Sequence, residues 1–217
     1  MTTLLLVRHA LNDMVGKRLA GWLPGVHLNA RGREQAEGLA QRLASVSLAA
    51  VYTSPLERAR ETAEVIAEVQ GVPLYVREAL GEVRYGRWEG QALEDLKKTP
   101  LWPQVQRFPS RVRFPEGEAL YEVQCRVVRA LEEIVETHPG EYEVVAVVAH
   151  ADVVRLAVAY FLGLPLDLYQ RLVISPASVT VLHLGPEGPR LIRLNDDGPV
   201  WVPCPPETEH ASQPATT

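Results

Sequence analysis

Cysteine and lysine are both scarce in this sequence of 217 residues. The two cysteines, Cys125 and Cys204, are too few for a disulfide scaffold, and Cys125 falls in a helical pattern where a small buried hydrophobe is expected. Of the 22 basic residues, only three are lysines. The low cysteine content favours a reducing compartment, and we expect a cytoplasmic location.

Net positive charge and long apolar runs are lacking as well. The formal net charge is -5, which leaves no basic footprint for nucleic acid or an anionic membrane surface. There is no run of about 18 apolar residues that would predict a transmembrane helix. We therefore expect neither a nucleic-acid nor a membrane partner. Arginine supplies 19 of the basic residues, and its guanidinium suits bidentate binding of phosphate or carboxylate.

Patterns typical of strands and helices alternate along the chain. Strands are predicted at 4–7, 49–53, 73–76, 142–149, 179–184 and 190–194, and helices at 31–45, 55–70, 118–137 and 152–162. Asn29 is the predicted N-cap of the first helix, and Gly71 is the predicted stop of the second. This alternation predicts an α/β fold: a three-layer α/β/α sandwich around a mostly parallel sheet.

The chain is expected to form one domain over residues 1–195. Residues 196–217 are rich in proline and polar side chains, which predicts a loosely ordered C-terminal tail. Residues 81–117 also contain several prolines, together with two of the four tryptophans and two of the three phenylalanines. An irregular segment with this many aromatic residues is more typical of a lid or pocket wall than of a linker.

Two predicted strands end directly before a histidine. His9 follows the first strand, and His150 follows the strand at 142–149. Ligands of such sheets bind beyond the carboxyl ends of the strands, so the two histidines and Arg8 predict a common site. Either histidine alone would more simply be a hydrogen-bonded loop residue. A metal site is disfavoured because Arg8 places a cation beside the candidate ligands, and we expect no metal.

Several short motifs follow one another in an order typical of a known family. They are Leu6-Val7-Arg8-His9, Gly21-Trp22, Thr53 to Ala59 with Thr62-Ala63, Glu82 with Tyr85-Gly86, Pro115 with Gly117-Glu118, and Val148-Ala149-His150. Each motif alone is weak, but their order and spacing together are specific. Over roughly residues 3 to 195 the chain resembles the histidine phosphatase superfamily, also called phosphoglycerate mutase-like.

The resemblance implies a mechanism and a role for five residues. His9 would attack phosphorus and form a phosphohistidine, Arg8, Arg58 and His150 would bind the phosphoryl oxygens, and Glu82 would act first as acid and then as base. The residues themselves leave rivals: Arg60 could replace Arg58, and Glu78 or Glu89 could replace Glu82. Only the family pattern selects Arg58 and Glu82.

The resemblance also implies three further substrate-binding residues, Asn12, Gly21 and Trp22. Asn12 stands where the family often has serine or threonine, and its amide can still donate to a phosphate oxygen. The chain departs from the family pattern at Ala10 and Ala151, where glycines are usual, so the nearby backbone has less conformational freedom.

We therefore expect a phosphatase that hydrolyses a small phosphorylated metabolite without a cofactor. The chain lacks the long basic insertion of glycolytic mutases and carries Leu23-Pro24 where they have a hydroxyl residue, which favours the phosphatase branch. A phosphoglycerate mutase-type phosphomutase and a non-catalytic phosphate-binding protein are the alternatives. Five arginines of the middle segment are candidates for an outer pocket: Arg84, Arg87, Arg107, Arg111 and Arg113. The oligomeric state, a homodimer included, is left open.

Overall fold

Six strands form one sheet in the computed structural model, which describes residues 1–140, 142–200 and 202. The strands are β1 (Thr2–Arg8), β2 (Ala50–Thr53), β3 (Leu74–Val76), β4 (Glu143–Ala149), β5 (Val179–Gly185) and β6 (Gly188–Asp196). The α-helices are α1 (Ala30–Leu43), α2 (Glu57–Gln70), α3 (Leu93–Leu96), α4 (Trp102–Arg107), α5 (Leu120–Thr137) and α6 (Ala151–Phe161). Short 3-10 turns lie at Glu78–Leu80, Gly86–Trp88, Pro109–Arg111 and Leu166–Arg171.

The strand order in the sheet is β3-β2-β4-β1-β5-β6. The neighbours β3, β2, β4 and β1 are parallel, whereas β5 is antiparallel to both β1 and β6. The mostly parallel sheet predicted from the sequence is therefore confirmed, and the last two strands form an antiparallel hairpin.

Helices cover both faces of the sheet. Side chains of a buried strand alternate between the two faces, so each face carries apolar side chains that a layer of helices must cover. Leu5 and Val7 of β1 belong to one core, which includes the buried sides of α1 and α2. Leu4 and Leu6 belong to a second core, together with α5 and α6. The three layers expected from the alternation of elements are thus present.

The start of α1 lies directly against the loop that follows β1. Asn29 caps the helix as predicted, since its side chain accepts a hydrogen bond from the Gly32 backbone N–H at 2.9 Å. A Cβ at Gly32 would lie 1.9 Å from the Leu11 carbonyl oxygen, so only glycine permits this approach. Gln35 Oε1 also accepts from the Leu11 N–H at 3.0 Å. The helix therefore holds the loop just beyond His9.

The second helix begins two residues later than predicted. Ser54 Oγ accepts from the Leu56 backbone N–H at 3.2 Å and holds the chain in a turn before Glu57, where α2 starts. The predicted stop is confirmed, because Gly71 adopts a left-handed conformation with φ of 64°.

The middle segment is less irregular than expected. Residues 81–117 contain the short helices α3 and α4 in addition to turns. Their apolar residues Leu96 and Val105 are buried against the core formed with α5 and α6, which explains why these short segments become helical.

The expectation that Cys125 is buried is wrong, because it is an exposed free cysteine on α5. Val123 and Val127 of the same helix are buried. A residue two positions from both must lie on the other side of an α-helix.

The folded chain continues past the boundary predicted at residue 195. Strand β6 ends at Asp196, and Val200 and Val202 pack against the core on the α1 side. Arg42 of α1 donates to the carbonyl oxygens of Asp196 and Gly198 at 3.0 and 2.8 Å. The rest of the predicted tail, Trp201 and residues 203–217, lies outside the described residues. Within the described residues, every helix is too short or too polar to cross a membrane.

Candidate active site

The ends of β1 and β4 bring the two predicted histidines together. Arg8 pairs with Ala149 in the register of these parallel strands, and the His9 N–H donates to the Ala149 carbonyl at 2.9 Å. The ring centroids of His9 and His150 are 5.2 Å apart, in an edge-to-face arrangement. Both rings are buried. Their side chains meet at the sheet edge where a ligand was expected.

The His9 ring is held in one tautomer. Its Nδ1 lies 2.7 Å from the Ala10 carbonyl oxygen, and since a carbonyl can only accept, Nδ1 carries the proton. The Nε2 atom therefore keeps its lone pair. Burial lowers the pKa of His9 well below its usual range, and the nearby cations Arg58 and Arg8 lower it further. The ring is thus neutral at physiological pH, with the Nε2 lone pair free.

Arg58 is a buried cation on the first turn of α2. Its Nη2 donates to the Gly21 carbonyl at 2.9 Å, whereas its Nε and Nη1 have no acceptor among the described residues. Burial lowers the pKa of Arg58, an effect opposed mainly by the charge of Glu82. The rival Arg60 is exposed and pairs with Glu64 at 3.2 Å. Arg58 is therefore the arginine placed to receive an anion.

Arg8 shows the same feature. Its Nη1 donates to the Ile174 carbonyl at 2.6 Å, and its buried Nε has no acceptor among the described residues. Arg8 and Arg58 both line a cavity of about 230 Å³ together with His9 and Glu82. Unpaired buried donors on two guanidiniums are the expected partners of a phosphate group.

His150 is fully buried and is not among the described residues that line this cavity. Its Nδ1 is 3.4 Å from Arg58 Nη2, which can only donate, so Nδ1 accepts and the Nε2–H donates to Ser54 Oγ at 2.8 Å. Burial lowers the pKa of His150 well below its usual range, with Arg58 and His9 adding to the effect. Ser54 belongs to the motif after β2, but the sequence did not reveal this role.

Glu82 is a largely buried carboxyl group at the cavity, with 12% of its side-chain surface exposed. Its Oε1 accepts from the Val83 N–H at 3.0 Å, and its Oε2 lies 4.0 Å from His150 Nδ1. Burial and the charge of Asp152 raise the pKa of Glu82 to about 7, against the lowering effects of the Val83 N–H and both site arginines. Near neutral pH the group can therefore both donate and accept a proton.

The rivals of Glu82 lie elsewhere. Glu78 is largely exposed and pairs with Arg84 at 3.0 Å. The carboxylate of Glu89 accepts from the Tyr85 N–H at 3.1 Å. Neither is among the described residues that line the cavity.

Asn12 and Gly21 also line the cavity. Asn12 Oδ1 accepts from the Met14 N–H at 2.9 Å, which directs the amide so that its NH₂ donors are available to a ligand. Gly21 has a φ of 52°, and a Cβ there would lie 2.6 Å from Glu89 Cγ, so the position requires glycine. Its carbonyl anchors Arg58.

Trp22, in contrast, lies behind the site. Its Nε1 donates to the Glu82 carbonyl oxygen at 2.6 Å, and the Arg84 guanidinium covers its ring at 3.6 Å from the centroid. Trp22 was predicted to bind substrate, but its contacts instead hold the backbone that carries Glu82.

The cavity residues that the sequence reasoning did not assign to the site include four with charged or hydroxyl side chains: Arg18, Tyr85, Asp152 and Arg155. The Tyr85 hydroxyl donates to Asp152 Oδ2 at 2.7 Å, and Arg155 Nη1 donates to Asp152 Oδ1 at 2.9 Å. Asp152 and Arg155 are three residues apart on the helix that starts after His150. That spacing places both on one side of α6, a signal that could have revealed them.

The five arginines proposed for an outer pocket are absent from the described residues lining this cavity. Three of them form surface ion pairs: Arg84 with Glu78, Arg87 with Glu116 and Arg113 with Glu122.

Within residues 1–140, 142–200 and 202, no group of three or more His, Cys, Asp or Glu side chains is placed to hold a metal ion. What the sheet edge presents is a neutral histidine, two guanidiniums with unpaired donors and a carboxyl group that titrates near neutrality. This combination defines the site of a phosphoryl-transfer enzyme.

The chain belongs to the histidine phosphatase superfamily (branch 1), which it matches over residues 4–197. It is 33% identical over 202 residues to phosphoserine phosphatase 1 of Hydrogenobacter thermophilus, covering 90% of this chain and 92% of that protein. It is 30% identical to the probable phosphoglycerate mutase GpmB of Photorhabdus laumondii, covering 83% and 84%. The structure of Bacillus stearothermophilus YhfR matches with a TM-score of 0.85 and 32% identity, covering 91% and 98%. The family, fold and phosphatase activity expected from the sequence are confirmed.

Proposed function

We propose that this phosphatase hydrolyses a small phosphomonoester through a phosphohistidine on His9. The observation that carries the proposal is the orientation of the His9 ring, whose Nδ1–H is bound to the Ala10 carbonyl and whose Nε2 is left free. The unpaired donors of Arg8 and Arg58 lie at the same cavity.

In the first step, His9 Nε2 attacks phosphorus while the bond to the leaving oxygen breaks. Arg8, Arg58 and the Asn12 amide donate to the phosphoryl oxygens, which neutralises their charge in the transition state. The protonated Glu82 carboxyl gives its proton to the leaving oxygen, and the alcohol departs. A phosphohistidine and an ionised Glu82 result.

In the second step, water attacks the phosphohistidine. Ionised Glu82 takes a proton from that water, the bond to Nε2 breaks, and inorganic phosphate is released. A pKa of about 7 for Glu82 allows the same group to serve in both steps. The enzyme returns to its starting protonation state.

Phosphoenzyme trapping with the His9→Ala variant tests this proposal. We expect turnover of an aryl phosphate to fall by at least about 10³-fold in His9→Ala, and acid-labile phosphate to label the wild type only. Exposed His27 provides the matched control, His27→Ala, which should keep full activity. Undiminished turnover by His9→Ala, or loss of wild-type turnover on adding a chelator, would contradict a metal-independent phosphohistidine route.

Mutase activity is the closest alternative. Isomerisation of a phosphoglycerate, measured with and without added bisphosphate, would reveal it. Tight phosphate binding without turnover would instead indicate a non-catalytic binding protein.

The remaining expectations about location and partners are also proposals. The low cysteine content supports a cytoplasmic location, and the net charge of -5 supports a protein without nucleic-acid or membrane partners. A single catalytic domain that extends past residue 195 to include Val200 and Val202 is likewise proposed.

A further inference from the structure

A second cavity adjoins the catalytic one. Its volume is about 330 Å³, larger than the 230 Å³ of the cavity that contains His9. The two cavities share four lining residues: Leu19, Tyr85, Asp152 and Arg155. The two cavities therefore meet at these four residues.

Aromatic rings form much of the second cavity, which we call the aromatic cavity and define by Tyr85, Trp88, Trp102 and Phe114. The Phe114 ring contacts Tyr85 and Trp88 with centroid distances of 4.9 and 5.4 Å. The Trp88 and Trp102 rings lie 6.2 Å apart and are inclined by 26°. A continuous aromatic wall thus runs from the catalytic cavity to α4.

The wall is accessible at its outer end. Trp88 and Phe114 are buried, whereas Trp102 is half-buried and projects from α4. An apolar ligand group placed against Trp102 would remove apolar surface of both partners from water, which favours binding.

In the proposed reaction, the leaving group departs on the side of the aromatic cavity. In an in-line displacement the leaving oxygen lies opposite His9, and it must be close to the acid that protonates it. That acid, Glu82, lies three residues before Tyr85 on the same loop. Tyr85 in turn donates to Asp152 at the boundary shared by the two cavities.

We propose that the aromatic cavity binds the leaving alcohol of the substrate and that this alcohol carries an apolar or aromatic group of about phenyl size. The inference rests on the proposed function of His9, because it needs phosphomonoester hydrolysis at that residue. It makes Trp102 a specificity-determining residue, which contacts the leaving group and not the phosphate.

Two alkyl phosphates test the proposal, ethyl phosphate and 2-phenylethyl phosphate. Both are esters of primary alcohols, so they differ mainly in the apolar group. We expect kcat/KM of the wild type to be at least about tenfold higher for the phenylethyl ester. In Trp102→Ala this preference should fall about tenfold, through a higher KM for the phenylethyl ester, and Trp102→Phe should retain most of it.

Phe108 offers a matched control, because it is 53% exposed, directly follows α4 and lies outside the lining of the aromatic cavity. Phe108→Ala should leave the ratio of the two kcat/KM values unchanged. Equal kcat/KM for both esters in the wild type, or an unchanged preference in a Trp102→Ala variant that unfolds at the wild-type temperature, overturns the proposal. Hydrolysis of neither ester would instead count against the function proposed for His9, and the inference would fall with it.

Discussion

At Arg58, the stability of the folded protein and the proposed binding of phosphate place opposite demands on one side chain. The side chain is 1% exposed, and two of its donors have no acceptor among the described residues. A buried charge without full compensation destabilises the folded state, whereas a bound phosphate would supply the missing acceptors. We expect Arg58→Met to abolish turnover and to raise the free energy of unfolding by about 1 kcal/mol. Urea denaturation of the phosphate-free protein measures the change.

Arg60→Met is the control for Arg58→Met, because Arg60 lies on the same helix but is exposed. It should change the free energy of unfolding by less than about 0.5 kcal/mol. Inorganic phosphate should raise the melting temperature of the wild type more than that of Arg58→Met. A loss of stability in Arg58→Met would mean that the Arg58 donors are already satisfied without ligand.

The raised pKa of Glu82 predicts how turnover depends on pH. Only the protonated carboxyl can act as the acid, so kcat/KM for ethyl phosphate should fall about tenfold per pH unit above a pKa of about 7. p-Nitrophenyl phosphate should show a much weaker fall, because its leaving group departs without a proton. The pKa of His9 is lowered, so the ring stays neutral over this range and does not contribute to the pH dependence of kcat/KM.

Removal of the carboxyl tests the same assignment. Glu82→Gln should lower kcat/KM for ethyl phosphate by about 10² to 10⁴-fold and that for p-nitrophenyl phosphate far less. Because the base for the second step is also lost, the variant should release a burst of nitrophenol and accumulate phosphoenzyme. Glu78→Gln, at an exposed position on the same loop, is the control. Equal losses on both esters would show that Glu82 is not the acid.

At the level of elements, helix α5 holds the loop that carries Glu82. Arg126 of this helix donates to the carbonyl oxygens of Ala79, Gly81 and Glu82 at 2.7 to 2.9 Å. Its guanidinium also makes two hydrogen bonds of 2.9 Å to Glu118, with Glu118 Oε1 and Oε2 as acceptors. Both side chains are about four-fifths buried. Arg126 is therefore a positioning residue for Glu82.

A conservative change at Arg126 should make the position of the Glu82 carboxyl group less fixed without removing that group. Arg126→Lys keeps the charge but loses the planar set of five donors, so it cannot maintain all of these contacts. We expect kcat/KM for ethyl phosphate to fall about tenfold or more, and that for p-nitrophenyl phosphate to change little. Arg129→Lys, exposed on the same helix, is the control. Equal effects of Arg126→Lys on the two esters would indicate a general loss of structure.

Local signals in the sequence predicted most elements, whereas contacts distant along the chain were not predictable. Asn29 begins α1 through a hydrogen bond of its own side chain, and Gly71 ends α2 through its own backbone conformation. Each signal can therefore be recognised from the residue itself. Arg126 lies 44 residues from Glu82, and nothing within α5 indicates that partner. For the same reason the sequence pattern predicts a substrate contact at Trp22, whereas Trp22 bonds the Glu82 backbone 60 residues away. The exposure of Cys125, in contrast, could have been read from the helical period.

On the scale of the whole molecule, a cationic site lies in an acidic protein. The net charge of -5 predicts no general basic footprint, but it could not show that Arg8, Arg18, Arg58 and Arg155 converge on one cavity. The convergence depends on the parallel alignment of β1 and β4, on the loop after β1 and on the N-terminal halves of α2 and α6. Local charge at a site follows from topology rather than from composition.

The extent of the folded domain is a further property of the whole chain, and truncation measures it. A chain ending at residue 202 keeps Val200 and Val202 on the core and the Arg42 hydrogen bonds to Asp196 and Gly198, whereas one ending at 195 loses all of them. Two half-buried valines and two hydrogen bonds together contribute about 3 kcal/mol. We therefore expect the 1–195 chain to be less stable than the 1–202 chain by about that amount in urea denaturation, and the 1–202 chain to keep the full kcat/KM. Val200→Ala in the full chain, expected to cost about 1 kcal/mol, separates the packing contribution from the effect of a new chain end. Equal stability of the two truncated chains would place the boundary back at residue 195.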